Sequence, residues 1–129
     1  MVVDEKQLTE DILRLAATDV KRCMQCGRCS ANCPAGFKMD LLPHCVVWEV
    51  NCGNASVLLQ ADAPWKCLSC MACEERCPRS VSPARIMEAL RLLNIRQQGK
   101  NKLPAESLEH YPSDIPQQLL VAAFRKYNK

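Results

Sequence analysis

The chain has 129 residues, 48% of them hydrophobic but only 5% aromatic, with ten cysteines and a formal net charge of +3. That length allows one modest domain with little apolar surface to bury, so part of its stability must come from whatever the cysteines hold. The scattered lysines and arginines have no aromatic interleaving and argue against a nucleic-acid surface. The polar start argues against a secretory leader, and no stretch approaches the roughly 18 apolar residues of a membrane helix, which leaves a reducing compartment, the cytoplasm, as the default.

In chain order, residues 4–20 are expected to form a helix. Asp4 and Gln7 suggest a capping box. Leu8, Ile12, Leu15 and Ala16 share one face, and Lys21 and Arg22 close the last turn, where cations suit the dipole. Then comes Cys23-Met24-Gln25-Cys26-Gly27-Arg28-Cys29-Ser30-Ala31-Asn32-Cys33-Pro34. Gly27 gives that run the tight backbone geometry only glycine takes freely.

The stretch from residue 35 to 66 reads as two helices. Asp40 is a candidate cap with Pro43 in the first turn, and Gly53-Asn54 is a stop. Cys45, Trp48, Glu49 and Cys52 follow one another at helical spacing. A shorter helix is expected from Ala55 to Ala61, ended by Pro64. The second run follows, Cys67-Leu68-Ser69-Cys70-Met71-Ala72-Cys73-Glu74-Glu75-Arg76-Cys77-Pro78. Ser82 and Pro83 then open a helix to about Gln98, with Ile86, Met87, Leu90 and Leu93 on its apolar face and Gly99 at its end. Residues 100–112 read as extended. A last helix to about Lys126 carries Leu119, Leu120, Ala123 and Phe124, and needs packing either on its own domain or on a partner. The expected domains are 1–99, an all-α body including the N-terminal helix, and 100–129, a helical docking tail.

Both cysteine runs read C-x2-C-x2-C-x3-C-P, the spacing that holds [4Fe–4S] clusters in bacterial ferredoxins. In two-cluster proteins of this spacing the fourth cysteine of each run ligates the other cluster. Cys23, Cys26 and Cys29 are therefore expected to take Cys77, and Cys67, Cys70 and Cys73 to take Cys33. Two oxidised clusters, each about −2 with their thiolates, bring the net charge to about −1. Zinc is the alternative, but zinc sites use cysteine pairs or added histidines, and neither His44 nor His110 completes such a pattern. Catalytic thiol chemistry is not expected of these eight cysteines.

Outside the runs, Cys45 and Cys52 read as small hydrophobic residues. The alternative, a redox pair, is weakened by their separation of about 10 Å along a helix. Trp48 and Trp65 read as core, with Trp65 also able to keep water from a cluster. Met24, Met39, Met71 and Met87 read as core filler. His44 is expected to be a helix residue with no metal role. Arg28, Arg76 and Arg79 are either solvated surface or charges that favour a reduced cluster.

The two runs with their helical link resemble the α-helical ferredoxin domain of succinate dehydrogenase, fumarate reductase, anaerobic glycerol-3-phosphate dehydrogenase and heterodisulfide reductase. The resemblance covers roughly residues 5–98 and is nearest to the small C subunit of heterodisulfide reductase. Met39-Asp40-Leu41-Leu42-Pro43, Trp65-Lys66-Cys67-Leu68-Ser69-Cys70 and the Cys77-Pro78 junction carry it beside the runs. A plant-like [2Fe–2S] domain ahead of the runs, or CCG domains after them, would have pointed to the other members. The resemblance implies an anaerobe's electron-transfer subunit with two [4Fe–4S] clusters. It would relay single electrons between a flavin-containing heterodisulfide reductase A-like subunit and a CCG-domain B-like catalytic subunit. The alternative is an iron–sulfur subunit of a membrane-linked dehydrogenase exchanging electrons with a quinone. No flavin or substrate motif is recognisable, so catalysis would lie in the partners.

Overall fold

The computed structural model describes residues 4–95 and 114–127. The chain divides into two units, Met1–Ile95 and Arg96–Lys129. Among the described residues every regular element is helical, as the sequence predicts.

Helix α1 spans Glu5–Ala16. The Asp4 carboxylate accepts from the Lys6 N–H at 3.1 Å and so caps it. The helix stops short of the expected residue 20 because Ala17 turns left-handed (φ 48°) and its N–H closes on the Leu13 carbonyl. Lys21 and Arg22 therefore fall in a separate 3-10 turn, Val20–Arg22, capped by Asp19. Ile12 and Ala16 are buried as predicted, whereas Leu15 is exposed.

The first run carries α2, Arg28–Ala31, and a 3-10 turn follows at Gly36–Lys38. Helix α3 spans Pro43–Cys52, with Pro43 at its start and Gly53 (φ 82°) at its end. Its N-cap is Leu42, not Asp40. Asp40 instead accepts the N–H groups of Leu41 and Asp62, at 2.9 and 2.8 Å, and so ties the start of the link to its end. Burial, the largest single effect, pushes its carboxyl up, but the N–H groups of Asp62, Leu41, Asp40 and Ala63 together outweigh it and hold the carboxyl below the usual range.

Helix α4 spans Ala55–Gln60 and α5 spans Ala63–Lys66. Pro64 thus does not end a helix; it sits in the first turn of α5, where its missing N–H costs nothing. The Glu5 carboxylate accepts the Ser56 N–H at 3.1 Å, which joins α1 to the first turn of α4, and Ser56, by its side chain first and its N–H second, holds the Glu5 carboxyl below its ordinary value. Helix α6, Ala72–Glu75, lies in the second run, and α7 spans Pro83–Ile95.

Helix α7 is the hub: α1, α3, α4, α5 and α6 all pack on it. Ile86, Met87 and Leu90 of α7 meet Ile12 of α1, Val46, Val47 and Val50 of α3, and Leu58 of α4. Full burial of one such side chain contributes about 1.5–3 kcal/mol. The inward face of α3 is its valine face, so Trp48, 51% exposed, and Cys52, also exposed, are not core. The other tryptophan, Trp65, is 50% exposed, and of the described methionines only Met87 is buried.

Helix α8, Gln117–Tyr127, belongs to the second unit. Leu119, placed on its apolar stripe, is 63% exposed. The expected extended stretch at 100–112, the end at Gly99 and the side chains of Ala123 and Phe124 lie outside the described residues.

Candidate metal centre

The two runs fold the same way. Gln25 and Ser69, each second after the first cysteine, have φ of 54° and 53°. Gly27 and Met71, four after it, have φ of 74° and 58°, and each opens a one-turn helix, α2 or α6. Around Gly27 an added side chain would meet nothing within 4 Å, so the left-handed backbone, not space, is what glycine serves there. Met71 takes the same conformation at a steric cost glycine avoids. Helices α2 and α6 pack against each other, which brings the two runs together.

That packing creates two adjacent hollows. One, of about 360 Å³, is lined by Cys23, Cys26, Cys29 and Cys77. The other, of about 370 Å³, is lined by Cys33, Cys67, Cys70 and Cys73. Each therefore takes three cysteines from one run and one from the other. Pro83, at the start of α7, lines both.

Cys26 and Cys70 are exposed, while the remaining six run cysteines are partly buried. Burial pushes the Cys29 thiol up and the Cys73 thiol up to about 11, with further repulsion from neighbouring cysteines. Buried thiols of this kind need bound metal to exist as thiolates. Among the described residues, no three Cys, His, Asp or Glu side chains converge closely enough to hold one metal ion. Four thiols that ring a hollow, instead of meeting at a point, fit a polynuclear cluster better than tetrahedral zinc.

The polar surroundings of the hollows differ. Gln25 Nε2 donates to Cys23 Sγ at 3.3 Å and to the His44 carbonyl at 3.2 Å. The Val81 N–H donates to Cys77 Sγ at 3.3 Å. His44 Nδ1 meets Ser30 Oγ at 2.6 Å, and His44 is among the residues lining the Cys23 hollow. Arg28 and Arg79 also line that hollow; Arg76 is exposed away from both. Cys45 and Cys52 lie outside both hollows, and Cys45 Sγ is 3.5 Å from His44 Nε2.

Sequence reasoning missed three groups that shape the site. Gln25 carried no signal, since nothing in C-x2-C says which spacer side chain will turn back to sulfur. Arg91 of α7 donates to the main-chain carbonyls of Pro64 and Cys67 and to Ser69 Oγ. Ser82, read as a cap, instead gives its hydroxyl to Glu74 at 2.7 Å, while Arg85 pairs with the same carboxylate at 3.3 Å.

Residues 19–81 match the protein family described as 4Fe-4S dicluster domain. The chain is 36% identical over 86 residues to the C subunit of the ferredoxin:CoB-CoM heterodisulfide reductase of Methanosarcina mazei, covering 67% of this chain and 53% of that protein. The chain is a relative of the heterodisulfide reductase C subunits. A protein of Archaeoglobus profundus described as like the heterodisulfide reductase C subunit is 35% identical over 105 residues, 81% of this chain and 56% of its own length. An iron–sulfur C subunit of CoB–CoM heterodisulfide reductase from Methanocaldococcus jannaschii is 38% identical over 94 residues, 73% of this chain and 47% of its own. The chain thus spans about half the length of these relatives. The matched domain contains both cysteine runs and the link helices α3, α4 and α5, but neither α1 nor α7. No helix among the described residues is long and apolar enough to cross a membrane.

Proposed function

We propose that this chain is a one-electron relay, a cytoplasmic iron–sulfur subunit of a heterodisulfide reductase-like complex that holds two [4Fe–4S] clusters. A bound [4Fe–4S] cluster supplies one-electron redox chemistry. Cys23, Cys26, Cys29 and Cys77 hold one cluster, and Cys67, Cys70, Cys73 and Cys33 the other. The observation that carries this reading is the pair of adjacent hollows, each ringed by four cysteines in the crossed combination and sharing Pro83 as a wall.

The chain's own residues then have plain tasks. The valine face of α3 and the apolar face of α7 back the runs with apolar side chains. Exposed Cys26 and Cys70 bring each site to the surface, where a partner's redox centre can approach. The partners are a flavin-containing A-like subunit and a CCG-domain B-like catalytic subunit, as the resemblance to the C subunits implies. The tail, residues 100–129, docks on one of them; the exposed Leu119 of α8 supports this.

Anaerobic purification from the native host tests the reading. Iron and acid-labile sulfide near eight of each per chain, two EPR signals on reduction, and co-purifying flavoprotein and CCG-domain subunits are expected, from about four irons per cluster. Bound zinc without sulfide would overturn the cluster assignment. Co-purification with a membrane quinone or haem subunit would overturn the complex assignment alone.

A further inference from the structure

We propose that the two hollows are unequal electron sites, with the higher reduction potential on the side of Cys23, Cys26, Cys29 and Cys77. This rests on the cluster reading above and adds an order to it.

An electron added to either site increases negative charge on its sulfurs. Hydrogen bonds to sulfur and nearby cations favour that charge and raise the potential. The backbone repeat makes each run the internal control for the other. On the first run, left-handed Gln25 turns its amide back to Cys23 Sγ. The His44 carbonyl can only accept, so it fixes the nitrogen of the amide toward both partners, one hydrogen for each. The equivalent residue of the second run, Ser69, has the same backbone but gives its oxygen to Arg91 at 3.1 Å.

The other groups add to the difference. The Val81 N–H donates to Cys77 Sγ at 3.3 Å. Among the described residues, Cys23 and Cys77 are the run cysteines whose sulfur accepts a hydrogen bond. Among the described residues, two cationic residues, Arg28 and Arg79, line the Cys23 hollow and none lines the other. Arg91 is the opposing cation, but it faces main-chain oxygens and Ser69, not sulfur. Two hydrogen bonds to sulfur and two lining arginines favour the Cys23 side, against Arg91 on the other. A single electron supplied to the pair therefore comes to rest on the Cys23 side.

An EPR-monitored redox titration of the purified holoprotein, with dithionite as the reductant, tests this order. Cys26→Ser assigns the signals, because it alters the one on its own side. The signal it alters is expected to have the higher midpoint potential in the unsubstituted protein. Gln25→Glu keeps the size but loses the donor, and is expected to weaken electron uptake on that side about tenfold, equal to about 59 mV for one electron. The other signal should move far less. Gln25→Ala and Arg79→Gln should shift the same signal in the same direction, so the result does not depend on one variant folding. The reverse order of potentials, or Gln25 variants that shift both signals equally or neither, would overturn the inference. Iron and sulfide content keeps the two levels apart: no clusters removes the underlying reading, while full content with reversed potentials removes only this one.

Discussion

Arg91 on α7 donates to the main-chain carbonyl of Cys67, reaching from the core helix into the second cysteine run. It also donates to the Pro64 carbonyl, so a single guanidinium bridges α5 to the ligand loop. These are charge-assisted bonds from a partly buried side chain, and losing a hydrogen bond to a charged group costs about 1.5–3 kcal/mol. Arg91→Ala is expected to destabilise the holoprotein by about that amount in anaerobic denaturation, and to speed cluster loss from the Cys67 side under chelator. Arg91→Lys should recover only part of the stability, because an ammonium cannot reproduce the fork.

Cys77→Ala is expected to damage the cluster on the side of Cys23, Cys26 and Cys29. Iron content should fall toward half, and the remaining EPR signal should be the one that Cys26→Ser leaves alone. Survival of the Cys26-sensitive signal, with loss of the other, would show that each run keeps its own fourth cysteine.

Cys52 is exposed and lies outside both hollows. Alkylation of the native holoprotein under anaerobic conditions should modify Cys52 first, then Cys45, and leave the eight run cysteines protected. Peptide mass mapping reads the order. Early labelling of Cys26 or Cys70, the exposed run cysteines, would argue against their metal ligation.

Ile12 on α1 is fully buried against α7. Ile12→Ala should cost about 2–5 kcal/mol, the usual range for such a truncation. The loss should appear in the unfolding midpoint of the whole first unit, since α1 packs on the same helix as the rest of the core.

Leu119→Glu places a charge on the exposed stripe of α8. It should leave iron content and EPR signals unchanged and reduce recovery of partner subunits in co-purification. Unchanged recovery would remove the docking role of the tail.

The cysteine spacing predicted which four cysteines line each hollow, through the rule that pairs three from one run with the fourth of the other. The all-α character was equally legible from Pro43, Gly53 and Pro83, which mark helix ends by their backbone limits. The burial of α3 was not. Its valines and its Trp48/Cys52 face are both apolar, so periodicity could not decide which turned inward; Val46, Val47 and Val50 did, by fitting closely against α7. Asp40 looked like a cap because a carboxylate suits any free N–H. Which N–H it found depended on Asp62, distant in sequence and close in space. Arg91 was hidden for the same reason, since Pro64, Cys67 and Ser69 are distant in sequence, and Gln25 is oriented by the His44 carbonyl that α3 brings to it.

The crossed lining of the hollows also bears on how the protein is made. Neither set of four cysteines is complete within one run, so a nascent chain with only the first run exposed offers three thiols and no closed site. Iron delivered then would meet an open, oxidisable fragment. Cluster insertion is therefore expected to wait until Cys77 has emerged and α2 has met α6, which makes metal loading a checkpoint on finished folding.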